Sequence, residues 1–576
     1  MAENLASTAQ MLWEAKYRAD GDDDIGHSWQ RVARALAAVE PSDRHRWERV
    51  FLDAMASFRF LPGGRILAGA GTAKRVTLLN CFVMGPIVDS IDGIFEALKE
   101  GAVTMQQGGG VGYDFSTLRP AGTRALATGT VASGPVSFMR VFDVMCQTML
   151  CTGARRGAMM ATLRCDHPDV EAFIDAKARA GELATFNLSL LVSDDFVRAV
   201  RADEEWPLVF PAAGRVHRVV RARELWTRLA RAAGEHGDPG AVFIDRINRE
   251  NNLAWREQIG ATNPCGEEPL PAYGACDLGS IELSRFVVAP FSRDAHLDLD
   301  AVARTARVGV RMLDDVLDAT AFPLERQRAE ASSTRRIGLG ITGLADALAM
   351  LGIHYASPDA RRVARDLMRV VRDAAYEESA CIAEEKGAFP AFDRRWLDTP
   401  FVRGLPPHLR ERIGRSGIRN SHLLAIAPTG SISVLAGNVS SGIEPIFGLR
   451  FRRRLLGRDG LPRTYEVLDR AFSVWREMRG DAAPPDSLAT AAHVSARDQL
   501  AMQAELQRFV DGAISKTIRL APDESVESVA RIFEEAYDLG VKGCTVFRPN
   551  PVTGVVLAED NGACGAPACA IEREPD

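Results

Sequence analysis

At 576 residues the chain exceeds the usual single-domain size of roughly 100–200 residues, and 46% hydrophobic with 25% charged residues supplies a substantial core, so one large domain with appendages is expected. A formal charge of −6 without any block of about five or six basic residues excludes an electrostatic footprint for nucleic acid; the lack of a basic leader or of a long uninterrupted apolar run excludes a membrane span and points to a cytoplasmic enzyme. Ten scattered cysteines, none in Cys-x-x-Cys pairs, exclude a secreted disulfide scaffold and a zinc site, and direct attention to thiol chemistry.

Residues 7 to about 60 read as helices: Met11, Leu12, Ala15 and Ala19 share one face, and Val32, Ala33, Leu36 and Val39 another. From Arg75 the composition turns β-like, and Val76 to Val83 is an expected strand ended by Gly85-Pro86. Cys81 lies within it, where a lone cysteine is most often a small buried hydrophobe. A helix to about Met105 follows Asp89-Ser90, and then come Gly108, Gly109 and Gly110, where a backbone can approach a ligand or simply turn. Residues 132–138 open a helix expected to run through Cys146 and Cys151 toward Arg155-Arg156, a pair suited equally to phosphate or to surface carboxylates.

A strand over 183–193, helices over most of 222–260 and 300–320, and an amphipathic helix over roughly 359–386 continue the pattern. Alternation of strands and helices over such a length implies parallel β/α units. The apolar run 423–427 ends in Pro428-Thr429-Gly430-Ser431-Ile432, whose amides and hydroxyls suit phosphate oxygens, a pattern shared by many strand-to-helix turns. Gly543 to Arg548 reads as a last strand. Beyond Pro551 the chain turns polar and Gly-rich and carries Cys564 and Cys569, which suit a weak metal hook, an accident of composition, or a mobile dithiol able to exchange with a disulfide.

The most chemical stretch is Asn263-Pro264-Cys265-Gly266-Glu267, with a second thiol at Cys276. Pro264 and Gly266 stop Cys265 from continuing a helix or strand, so the thiol is expected on a loop tip. In an extended loop the amide of Asn263, the sulfur of Cys265 and the carboxylate of Glu267 share a side and address one small substrate. The alternative is a tight turn whose cysteine packs while Asn263 and Glu267 cap neighbouring helices.

Continued by Glu268-Pro269-Leu270 and by Tyr273 to Ile281, this stretch resembles the finger-loop signature of ribonucleotide reductases of the adenosylcobalamin-dependent kind. The resemblance implies an α/β fold: a ten-stranded barrel over 61–550 with the finger loop through its centre, a helical region over 1–60, and a redox tail over 551–576. It implies that Cys265 carries a thiyl radical that abstracts the ribose 3′-hydrogen, that Glu267 takes the 3′-hydroxyl proton, that Asn263 holds the ribose, and that Cys81 and Cys276 are the reducing pair. It places substrate at Asn80, Gly110, Pro428, Thr429, Gly430, Ser431 and Ile432, and a deoxynucleotide effector at Asp89 and Ser90. The spacing from Cys81 to Asp89 is one residue longer than the family pattern.

Cys564 and Cys569 would carry electrons from a thioredoxin-like reductant. The implied cofactor is adenosylcobalamin and the substrate a ribonucleoside di- or triphosphate, with a homodimer as an option. The N-terminal region is short for the family, so an ATP-sensing module is expected to be missing. A diiron-dependent reductase needs two stacked tyrosines near Lys542 to Arg548, where this chain has none, and no Arg-Val-x-Gly-Tyr glycyl-radical segment follows residue 540. A regulator that kept the fold and lost the chemistry is disfavoured by the joint presence of Cys81, Asn263, Cys265, Glu267 and Cys276.

Overall fold

The structure is a computed structural model that describes residues 7–124, 129–151, 155–210, 214–456, 462–548 and 557–559. Its N-terminal helices α1 (Ser7–Leu12), α2 (Ile25–Ala37) and α3 (Arg44–Ala56) follow the apolar periodicity, with Val32, Ala33 and Leu36 fully buried. Asp24 caps α2 by accepting the His27 amide at 2.9 Å, which fixes where the helix begins.

The strands that follow are β1 (Phe60–Pro62), β2 (Cys81–Val83), β3 (Gly110–Asp114), β4 (Met159–Arg164), β5 (Phe186–Val192), β6 (Gly240–Phe243), β7 (Ala275–Glu282), β8 (Ile337–Thr342), β9 (Thr517–Arg519) and β10 (Gly543–Phe547). They form one ten-stranded sheet in the order β1-β7-β2-β3-β4-β5-β6-β10-β9, with β8 also on β7. Strands β2 to β6 run mutually parallel. A second parallel group consists of β7, β8, the segment 423–427 and the chain leading through β9 and β10, connected by the bridges Leu339 to Leu424 and Ile426 to Ile514. The groups meet antiparallel at β6/β10 and at β7/β2, so the ring closes as two five-stranded parallel halves, with β1 an extra strand on β7. This is the ten-stranded α/β barrel that the resemblance implied.

The barrel is filled by chain. Residues 260–270 thread through it: Thr162 Oγ1 of β4 donates to the Gly260 carbonyl at 2.8 Å, Asn187 Nδ2 of β5 to the Pro264 carbonyl at 2.7 Å, and the Ala513 amide to the Glu267 carbonyl at 2.8 Å. A Cβ on Gly112 of β3 would lie 1.8 Å from the Thr262 carbonyl oxygen, so glycine there is a condition for the loop to enter. Helices α4 (Ile91–Gln106), α5 (Pro135–Thr148), α6 (Leu299–Ala319) and α7 (Pro358–Lys386) are among those outside the wall.

Three expectations need correction. The strand expected over Val76 to Val83 is reduced to Cys81–Val83, because the preceding amides are taken elsewhere: Thr77 N by the Gln107 carbonyl, Leu78 N by Thr320 Oγ1 and Leu79 N by Thr77 Oγ1. The helix expected through Cys151 stops at Thr148, and Leu150–Cys151 pairs antiparallel with Arg155–Arg156. Residues 222–260 are helical over Ala222–His236 and Ile244–Glu250, after which the side chains of Asn248 and Asn251 fold the backbone of 251–259 into turns.

A buried ionic cluster ties the N-terminal helices to the barrel. Glu40, just beyond α2, is 0% exposed; it accepts Arg311 Nε of α6 at 2.6 Å and Lys386 Nζ of α7 at 3.1 Å, and Lys386 also reaches Asp315 at 2.6 Å. The Arg311 guanidinium lies 3.9 Å from the Trp47 ring centroid of α3. Removing one member leaves buried charge uncompensated, so Arg311→Leu is expected to cost about 3–5 kcal/mol. Chemical denaturation measures this, and an unchanged midpoint contradicts the clamp.

Candidate active site

The loop 263–267 is a turn and not the extended segment whose alternate side chains would align. Gly266 N donates to the Asn263 carbonyl and to Asn263 Oδ1, both at 3.1 Å, and Glu268 N donates to the same Oδ1 at 3.0 Å. The turn leaves Cys265 partly exposed at the tip and folds Asn263 and Glu267, each 1% exposed, back against Cys81. Asn263 Nδ2 reaches Cys81 Sγ at 3.1 Å, and Cys81 Sγ lies 3.8 Å from Glu267 Oε1.

Cys81 and Cys276 stand directly opposite each other across the antiparallel β2/β7 contact. Such partners have Cα atoms about 4.5–5.5 Å apart, inside the range that a disulfide spans. Cys276 Sγ donates to Glu268 Oε1 at 3.2 Å. Two consecutive acids of the finger therefore address the two thiols, Glu267 at Cys81 and Glu268 at Cys276.

Burial sets the protonation states here. It pushes Glu267 up to about 7 against hydrogen bonds from its own backbone, Asn263 and Cys81. It drives Cys81 well above the ordinary thiol value, reinforced by the charges of Glu267, Glu268 and Cys265. Cys276 and Glu268 are raised well above their ordinary values, first by burial and then by neighbouring acids. The chamber thus holds protonated thiols beside an acid that titrates near neutrality, and Glu267 Oε2 is buried without a hydrogen-bond partner among the described residues.

The other residues singled out from sequence fall into two groups. Asn80 and Gly110 adjoin the chamber, since the Gly110 amide donates to the Asn80 carbonyl at 2.8 Å at the start of β2 and β3. Pro428 and Thr429 follow the barrel segment 423–427, and helix α8 (Gly430–Leu435) begins there, carrying Ser431 and Ile432. The Thr429 hydroxyl is already engaged: it pairs with Thr342 Oγ1 at 2.8 Å and accepts the Gly442 amide at 2.9 Å. Ser431 Oγ contacts the Tyr17 hydroxyl, so the N-terminal region closes over this turn.

Asp89 and Ser90 lie apart from the chamber at the head of α4. Ser90 caps the helix by accepting Gly93 N at 3.1 Å, and Asp89 is held by Arg119 Nε at 2.8 Å. Cys564 and Cys569 lie outside the described residues. Cys146 and Cys165 are buried. Sequence reasoning gave no role to Glu268 or Asn187; the doublet Glu267-Glu268 was the available signal for the first, and nothing marked the second.

The family model described as "Ribonucleotide reductase, barrel domain" matches residues 79–547, and "Ribonucleotide reductase, all-alpha domain" matches 3–75. The chain belongs to the ribonucleotide reductase family. It is 39% identical to a vitamin B12-dependent ribonucleoside-diphosphate reductase of Mycobacterium tuberculosis (strain CDC 1551 / Oshkosh), over 95% of this chain and 81% of that protein. A protein of the same name from Thermoplasma acidophilum is 38% identical over 88% of this chain and 66% of its own length. The ribonucleoside-diphosphate reductase large subunit of Caenorhabditis elegans is 29% identical over 68% of this chain and 54% of its own.

The raised value of Glu267 is also a statement about stability. The folded state holds this proton more tightly than the unfolded chain, so the stability it contributes is full below 4.5 and is lost as pH rises through about 7. Glu267→Gln is expected to flatten that part of the profile, on the order of 3 kcal/mol between these limits. Denaturant melts of both proteins across the interval check this, and identical slopes contradict it.

Proposed function

We propose that the chain reduces ribonucleoside diphosphates to 2′-deoxyribonucleotides by thiyl-radical chemistry with adenosylcobalamin as the radical source. The observation that carries this reading is the alignment of Cys81 with Cys276 across β2/β7, with Asn263, Cys265 and Glu267 of the finger turned toward them. The relatives whose names carry vitamin B12 and diphosphate support the choice of cofactor and substrate.

Four residues of neighbouring barrel strands suit the edge of a cofactor site. Asn187 of β5, Thr517 of β9 and Thr545 of β10 are exposed although they belong to barrel strands. Thr517 and Thr545 are register partners, and Thr545 Oγ1 lies 2.9 Å from where a Cβ on Gly240 would stand. The small residues at the β6/β10 junction place no bulky side chain there, and Asn187, Gly240, Thr517 and Thr545 would border the bound group. When bound, adenosylcobalamin supplies the one-electron oxidation of Cys265 through homolysis of its cobalt–carbon bond.

The chain's own residues then act in order. The Cys265 sulfur removes the 3′-hydrogen of the ribose while Glu267, with Oε2 unpartnered, takes the 3′-hydroxyl proton. Asn263, which hydrogen-bonds both Cys81 and Glu267, holds these two groups against the ribose. Cys81 protonates the 2′-hydroxyl, which leaves as water; the pair then gives up two electrons, the hydrogen of Cys276 goes to C2′ and the two sulfurs join as a disulfide, while Glu267 returns the 3′-hydroxyl proton and Cys265 the 3′-hydrogen. The turn at Pro428 to Ile432 offers amides to the diphosphate.

Three finer assignments belong to this reading. Val88, Ile91 and Phe95 at the head of α4 and Val141 and Val144 of the adjacent α5 are exposed apolar residues, which supports a homodimer across these helices. A deoxynucleotide effector would lie beside them at Asp89 and Ser90. A thioredoxin-like donor would work through Cys564 and Cys569, a chemistry that requires the reducing cytoplasm. Among the described residues no helix is long and apolar enough to cross a membrane.

Purified protein given ribonucleoside diphosphate and a dithiol is expected to form deoxynucleotide when adenosylcobalamin is added, with no iron and no second subunit. Cys265→Ser is expected to abolish both product and substrate-coupled cobalt–carbon homolysis. Full activity in cobalamin-free buffer with a diiron partner, or product from the serine variant, contradicts the assignment.

A further inference from the structure

Glu268 is the one carboxylic acid of the finger that the proposed reaction leaves unused, yet its surroundings are built for it. Its Oε1 accepts Cys276 Sγ at 3.2 Å, and the side chain is 4% exposed. A Cβ on Gly338 of β8 would come within 2.5 Å of that oxygen, so the barrel wall is bare where the carboxyl sits. On its far side lies a small cavity of about 10 Å³, lined among others by Arg336, His422, Asp511 and Lys542. That is about the space one water requires. Arg336 Nη1 is buried there, 3.6 Å from Glu330 Oε1 and without a hydrogen-bond partner among the described residues, and such a donor suits that water.

Reduction of a Cys81–Cys276 disulfide poses a problem that Glu267 does not solve. A thiolate leaving inside a dry chamber is a poor leaving group, because burial opposes its ionisation. Cys276 is the deeper thiol, at 0% exposure, and has no other side-chain proton source as close as Glu268 among its described contacts.

We propose that Glu268 is the general acid that protonates the Cys276 sulfur when the Cys81–Cys276 disulfide is returned to two thiols, a role that rests on the reading of these cysteines as the reducing pair. The donor dithiol attacks Cys81 through its first thiolate. The bond between the two protein sulfurs breaks, its electron pair stays on Cys276, and the Glu268 proton moves across the 3.2 Å contact to that sulfur. The donor's second thiol then attacks the mixed disulfide, releasing Cys81 and oxidising the donor. Its proton, with one from solvent balancing the first thiolate, restores Cys81 and, by way of the cavity, Glu268. Two electrons pass from donor to protein, and each protein sulfur ends with one hydrogen.

The groups facing Glu268 set when it can act. Burial raises it first, Glu267 and Asp511 add to this, and Arg336 and the hydrogen bond from Cys276 oppose it. His422, across the cavity, is held neutral by burial and by the charges of Arg336 and Lys542. Burial thus favours the protonated form of Glu268, the form that can donate.

The test uses the full-length chain with Cys564 and Cys569 replaced by serine, so that a small dithiol acts directly on the pair. The protein is oxidised with a disulfide-forming reagent, the Cys81–Cys276 link is verified by peptide mass, and its reduction is followed against pH. Glu268→Gln is expected to slow reduction roughly 10²-fold. The variant's rate should follow the thiolate fraction of the donor alone, whereas the unsubstituted protein should fall away at high pH as Glu268 loses its proton. Glu268→Asp, which keeps an acid, should regain at least tenfold. If oxidation links no Cys81 to Cys276, the pair itself is misassigned. If the link forms and Glu268→Gln is reduced at the unsubstituted rate, or if Glu268→Asp is as slow as Glu268→Gln with the same pH profile, the acid role is overturned.

Discussion

The barrel interior depends on one antiparallel contact. Of the interfaces around the ring, β2/β7 fixes a chemical register, Cys276 against Cys81. In a ladder of period two, a slip of one residue would turn Cys276 to the outside and bring Asp277 into the chamber. Two features oppose the slip: β7 is also pinned on its other edge by six register partners along β8, and β1 pairs with it at Phe60 to Pro62. The glycine at 112 then admits the finger, and the turn at Gly266 brings Asn263 and Glu267 to the same sulfur.

A dry chamber lined with acids and thiols costs stability, and the fold offsets that cost elsewhere. Glu267 and Glu268 are both raised by burial, which favours the neutral form of each. Outside the wall, the charged groups are paired instead: Asp314 accepts Arg335 Nε at 2.9 Å and Arg419 Nε at 3.1 Å, and Glu40 holds Arg311 and Lys386. Asp314 and Glu40 are thereby held below the ordinary carboxylate value, in contrast to Glu267 and Glu268 within the barrel.

Much of this was legible in the sequence, and the limits have physical causes. The helices over 25–37, 44–56 and 358–386 were readable because an amphipathic face repeats every three to four residues. The strand at Val76 to Val83 was over-read because β-forming residues there give their amides to Gln107 and Thr320 and form no ladder. Closure of the ring was invisible to periodicity, since it rests on single bridges at Leu424 and Ile426 between distant segments. The five residues Cys81, Asn263, Cys265, Glu267 and Cys276 were legible through their resemblance to a finger loop, but not the turn that aligns them. The roles of Asn187 and Glu268 could not be found from sequence, because the first acts through a contact between segments 77 residues apart and the second through the way the chain from Glu268 turns back to set Cys276 against it.

The proposed reaction rests on Cys81 and Cys276 as the electron source for the product. The direct test is one turnover of the pre-reduced protein, with Cys564 and Cys569 replaced by serine, on ribonucleoside diphosphate and adenosylcobalamin, followed by alkylation and peptide mass analysis. The predicted result is one Cys81–Cys276 disulfide for each deoxynucleotide formed, with Cys146, Cys165, Cys381 and Cys544 recovered as alkylated thiols after unfolding. Deoxynucleotide formed while Cys81 and Cys276 both remain open to alkylation would contradict it.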